Sequence, residues 1–165
     1  PWLSIYQEAG RKGLREYLGT NHEINFNELV SIIGRFKNGE SGIYLRRMGR
    51  EDTELWYDLI DFSDKNILLI EWTHGNNHNH QGVDIPILLS STPQETLEHR
   101  KARKRDKGVD SSFTATVLDL EQDLLMSQAS KASLIVSKGG AILSYNDYMR
   151  IMKRDQNVVE ARNVQ

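Results

Sequence analysis

Residues Tyr57–His74 read YDLIDFSDKNILLIEWTH, two apolar runs around a polar turn, with an acid at the outer end of each run: Asp58 and Glu71. Folded as a β-hairpin centred on Asp64-Lys65, the ribbon sets Asp58 opposite Glu71, with Cβ atoms about 4.5–5.5 Å apart. Alternation then puts Asp58, Ile60, Phe62, Ile67, Leu69, Glu71 and Thr73 on one face. Two carboxylates so placed repel, and each raises the other's pKa unless a cation sits between them. A hard divalent cation resolves the repulsion: Mg2+, for which Mn2+ substitutes, bound through carboxylates and phosphate oxygens. Such an ion polarises a phosphodiester and activates the attacking water. The plainer reading of the same acids is a pair of solvated strand ends, one of them leaning on Arg46 or Arg47.

Working outward, the chain has 165 residues, 38% hydrophobic and 27% charged, which suits one ordinary soluble domain spanning 1–165. No apolar run approaches the roughly 18 residues of a membrane span, so no membrane partner is expected. The chain contains no cysteine, which removes disulfides and thiolate chemistry and suits a cytoplasmic home. It opens PWLSIYQEAG, with neither an initiator methionine nor a signal peptide, and reads as excised from something longer. The net charge of −2 argues against a basic surface over the whole chain, yet Arg100–Lys107, RKARKRDK, carries six basic residues against one acid.

Helical spacing predicts a first helix over Leu3–Leu18, broken at its glycines. A second follows Asn25, with Glu28 at the capping-box position. Strands are expected at GIYLRR from Gly42, ELWYDLIDF from Glu54 and NILLIEWTH from Asn66, an antiparallel meander. The segment IPILL from Ile85 precedes a helix with Thr92 as N-cap, Pro93 at its first position and Gly108 as terminator. A strand SFTATVLDL, a helix EQDLLMSQAS, a strand SLIVS, a KGG turn and a final helix capped by Ser144 complete the pattern. The fold class is α/β, a mixed central sheet (antiparallel meander plus added strands) flanked by helices.

This order of elements, from about Asn25 to about Met152, resembles the PD-(D/E)XK nuclease superfamily. The stretch YDLIDFSDKNILLIEWT is most similar to the cleavage domains and small cleavage subunits of type IIS restriction endonucleases, and SLIVSKGGAILSYNDYM is similar to the segment that closes such domains. The resemblance implies a restriction-endonuclease-like core about 25–152 that hydrolyses DNA and relies on a recognition domain or larger subunit. It makes Asp58 and Glu71 metal ligands, with Glu28 a supporting acid. Thr73 stands where the motif usually has lysine, so Lys101 or Lys104 of the following helix would supply that charge. Viral cap-snatching endonucleases resemble the pattern as well, placing Glu-x-Thr on the strand and lysine on the next helix.

Two further features bear on partners. His74, His78, His80 and Asp84 fall within eleven residues, a loop that offers zinc ligands to a hydrolase or, more plainly, forms a mobile and solvated segment whose His78 and His80 touch DNA. Arg100, Lys101, Arg103, Lys104 and Lys107 would neutralise backbone phosphates without reading bases. SKGGA lacks the Gly-Lys-Ser/Thr ending of a phosphate-binding loop and is assigned to a turn. The expectation is a Mg2+-dependent DNA endonuclease. Its alternatives are the cap-snatching type, a zinc hydrolase and a non-catalytic nuclease fold that binds nucleic acid.

Overall fold

The computed structural model describes residues 1–49, 53–103 and 111–163, with side chains as far as residue 154. The chain is mixed α/β, with five α-helices and two small sheets among the described residues, and it divides into two compact units. No described helix is long and apolar enough to cross a membrane.

One unit comprises Asn25–Glu71 and Asn79–Val83. Helix α2 (Phe26–Lys37) starts where the capping box predicts: the Glu28 N–H donates to Asn25 Oδ1 at 3.1 Å, and Asn25 Nδ2 donates to Glu28 Oε2 at 3.3 Å. Strands β1 (Gly42–Met48) and β2 (Leu55–Asp61) pair antiparallel, Leu45 opposite Asp58. Phe26, Ile33 and Ile43 are its buried apolar side chains, and Phe36 meets Phe62 edge-on at 5.6 Å.

The third strand of the expected meander is not formed. After β2 the chain turns, the Ser63 N–H donating to Asp61 Oδ1 and the Lys65 N–H to the Phe62 carbonyl, and residues 66–71 then run without strand pairing. Ile67 is 83% exposed and Leu69 82%. Alternation specifies which side chains share a face but not which strand lies alongside. β2 takes β1 as its partner, and a single mixed sheet gives way to two separate ones.

The other unit comprises Pro1–Ile24, Trp72–His78 and Asp84–Gln165. Helix α1 (Trp2–Tyr17) bends at Gly10, whose φ of 61° breaks the helical run. Strand β3 (Ile87–Ser90) leads through α3 (Pro93–Arg103) and α4 (Ser112–Gln128) to β4 (Leu134–Ser137), which lies parallel to β3; β5 (Ile142–Leu143) adds antiparallel to β4, and α5 (Tyr145–Asn163) follows. The strand expected at SFTATVLDL and the helix expected after it are together the single helix α4. Ser111 caps it, accepting from the Thr114 N–H at 3.1 Å. The β-branched residues suggested a strand, but Phe113, Val117, Leu120 and Leu124 recur at helical spacing and pack on Leu14 and Leu18 of α1 and its flank. Burial of that stripe outweighs propensity. A second cluster, Leu88, Ala129, Ile135, Tyr148 and Met152, joins the sheet to α4 and α5.

Candidate functional site

Two of the carboxylates selected from the sequence lie beside arginines. Asp58 accepts a hydrogen bond from Arg47 Nε at 3.1 Å, and Glu28 lies 3.8 Å from Arg46 Nε. These arginines neutralise the charge that a divalent cation was expected to neutralise. The hairpin that was to bring Glu71 opposite Asp58 is absent; Glu71 and Thr73 are exposed. Among the described residues no group of three or more His, Asp or Glu side chains is arranged to hold a metal.

The histidine loop is solvated only in part, with His78, Asn79, Gln81 and Asp84 exposed. His74 is 2% exposed, Asn76 4% and His80 1%, whereas His78 is exposed. Buried, His80 has almost no surface to present to DNA. Two of its side-chain amides donate to distant carbonyls, Asn76 Nδ2 to Ile87 at 2.9 Å and Asn77 Nδ2 to Gly19 at 2.8 Å, and its Asn77 carbonyl accepts from Lys131 Nζ at 2.6 Å.

Helix α3 carries basic residues expected to meet phosphates. Its capping box closes both ways, the Glu95 N–H donating to Thr92 Oγ1 at 3.2 Å and the Thr92 N–H to Glu95 Oε2 at 2.8 Å. Three of its basic residues fall in the last turn. Lys101 and Arg103 are exposed, Lys101 lying 3.7 Å from Glu98. Arg100 turns inward: Nη2 donates to the Pro93 carbonyl at 2.9 Å, and Nε and Nη1 are buried with no hydrogen-bond partner. Lys104 and Lys107 lie outside the described residues.

A buried polar cluster escaped the sequence reading. Glu23 Oε2 accepts from the Gly19 N–H at 2.6 Å and lies 3.8 Å from His74 Nε2. Burial holds the His74 imidazole below its ordinary pKa, against the pull of Glu23. The Glu121 carboxyl is pushed up to about 7, chiefly by burial and then by Glu23, with Arg100 opposing. Burial and Glu23 also raise the Tyr17 phenol. One signal was available: Glu121 stands four residues after Val117 and three before Leu124, on the apolar stripe of α4.

The carboxyl ends of the parallel strands form the other polar region. β3 ends at Ser90, just before the Thr92 cap of α3, and β4 ends at Ser137, just before Lys138. Lys138 Nζ donates to the Glu95 carbonyl at 2.8 Å and so ties the end of β4 to the first turn of α3. In open α/β sheets ligands bind outside the carboxyl ends of the strands.

No protein-family description matches the chain, and no solved structure does. Over 140 residues, 85% of this chain, it is 45% identical to a bifunctional alpha-galactosidase/sucrose kinase, AgaSK, of Mediterraneibacter gnavus. That stretch is 15% of the length of the relative, so the chain spans less than a fifth of the protein it matches.

Proposed function

We propose that this chain is part of a sugar kinase, contributing a parallel β-α-β layer and a basic helix that faces the transferred phosphoryl group. The similarity to AgaSK carries the reading, and the architecture favours the kinase of the two activities in its name. Phosphoryl transfer calls on positioning and positive charge around the phosphate oxygens. The β3–α3–α4–β4 crossover ends its strands at Ser90 and Ser137, and the exposed Lys101 and Arg103 stand on the helix that follows β3. Glycoside hydrolysis calls instead for two carboxylates flanking a sugar. Asp58 and Glu28 are engaged with arginines.

The second reading is the restriction-endonuclease-like DNA nuclease. The exposed basic end of α3 supports it, since Lys and Arg serve a phosphodiester backbone as they serve a nucleotide. The carboxylate hairpin that ranked it first is missing.

The test is transfer of labelled γ-phosphate from ATP to sucrose, run on this chain fused to the segments that flank the matched stretch in the M. gnavus protein. Labelled sugar phosphate that falls at least about tenfold with Lys101→Glu plus Arg103→Glu supports the reading, because both substitutions reverse charge beside the phosphates. Transfer indifferent to both substitutions overturns it. A fusion inactive on sugars that cleaves DNA with Mg2+ or Mn2+ puts the nuclease first.

A further inference from the structure

Among the described residues the sheet β3-β4-β5 is covered on one face only. Residues in register on parallel strands share a face, so Leu88 and Ile135, with Leu143 of β5, lie on the side covered by α4 and α5. The opposite face carries Ile87, Leu89, Leu134, Val136 and Ile142. Leu89 is 68% exposed, Ile142 72%, Ile87 45% and Leu134 37%. Parallel strands belong to sheets buried on both faces, and a contiguous apolar surface of this kind marks an interaction site.

β3 is also an edge strand: the order is β3-β4-β5, and among the described residues no strand lies on its far side. The Pro86 carbonyl accepts from Ser133 and Leu134, so even-numbered residues of this segment face β4 while Ile87 and Leu89 direct their main-chain groups to the open edge. The Asn76 side chain takes the Ile87 carbonyl. At Leu89 the edge is open to another strand.

We propose that this edge and face dock an apolar β-strand, running parallel to β3, together with the amphipathic helix that follows it, both supplied by polypeptide of the same protein outside these residues. The length of the relative argues for that occupant, because 85% of it lies outside the stretch that matches this chain. A covalently linked segment reaches the edge at high effective concentration, whereas a second copy must be captured from solution. Strand addition suits the observed surface: main-chain groups at Leu89 provide pairing, and alternate side chains provide the apolar contact. The surface is independent of which reaction the protein catalyses.

The experiment compares the isolated chain with the same chain fused to roughly 40 residues from each flank of the matched stretch of the M. gnavus protein, enough for a strand and a helix. Hydrogen exchange at the Leu89 amide should slow at least about a hundredfold in the fusion, as a fraying edge becomes an interior strand. Fluorescence of the dye ANS, bound by the bare face of the isolated chain, should fall. Leu89→Glu should reverse both changes in the fusion while leaving the denaturation midpoint of the isolated chain unchanged. Equal exchange in the two proteins overturns the proposal. So does an amide already protected in the dilute isolated chain, which would show that the chain covers the face itself. Protection that rises with concentration, alongside a dimer in sedimentation, would assign the surface to a second copy and also overturns it.

Discussion

His74 Nε2 lies 3.8 Å from Glu23 Oε2, while the other ring nitrogen of His74, Nδ1, is buried without a hydrogen-bond partner and faces Gly19. The three residues interlock. Gly19 has a φ of +69°, its N–H donates to Glu23, and a Cβ added to it would stand 3.3 Å from His74 Nδ1. Gly19→Ala therefore meets two penalties, the left-handed backbone and the imidazole. The backbone penalty alone is about 1–2 kcal/mol. Urea denaturation of the variant should show at least that loss, and an unchanged midpoint would mean that this turn differs from the one described.

Glu121 predicts a pH dependence. Its folded pKa of about 7 lies above the ordinary value of 4.5, so the folded state holds a proton that the unfolded state releases across that interval. The contribution is fully present below the unfolded pKa and is lost as pH rises through about 7. Glu121→Gln keeps the neutral shape and removes the titration. It should raise stability at pH 8 by about 1–3 kcal/mol, with little change at pH 4. Denaturation at the two pH values checks this, and an equal effect at both would remove Glu121 from the titration.

His74 titrates in the opposite sense. Its folded pKa is lowered, so its stabilising contribution is present above the unfolded value of 6.5 and falls away as pH drops through the folded value. In His74→Gln the part of the acid destabilisation due to this ring should disappear. A denaturation profile identical to wild type from pH 7 down to pH 4 would show that the ring is already solvated.

Asp58→Ala removes only the partner of Arg47, and both side chains are half exposed. The expected cost is about 0–1 kcal/mol. Catalytic loss beyond that structural effect, seen as abolished cleavage of DNA with Mn2+ present, would return Asp58 to the role the nuclease resemblance gave it.

Thr92→Ala removes one arm of the capping box and should cost about 1 kcal/mol. The loss should appear as faster amide exchange in the first turn of α3. Because Lys138 holds the Glu95 carbonyl in that turn, exchange should also rise at the end of β4.

What the sequence determined by itself was local. Asn25 with Glu28, Thr92 with Glu95 and Ser144 with Asp147 each cap the helix they were assigned, because a cap is made between residues three apart and needs no distant partner. Strands β1 and β2 and the apolar runs of β3 and β4 were legible for the same reason. Pairing was legible only in part. The antiparallel pairing of β1 with β2 followed from the expected meander, but the alternation of Ile67 and Leu69 suited a hairpin with β2 that is not formed, and the parallel partner of β3 lies across two helices in β4. The environment of each acid was equally a tertiary matter. Asp58 met Arg47 across a strand pair, and Glu121, on an apolar stripe among hydrophobic neighbours, came under the influence of Glu23 and Arg100 from distant parts of the chain. Charge is a property of the residue, but burial and counter-charge are properties of its neighbours, and only the folded chain chooses those.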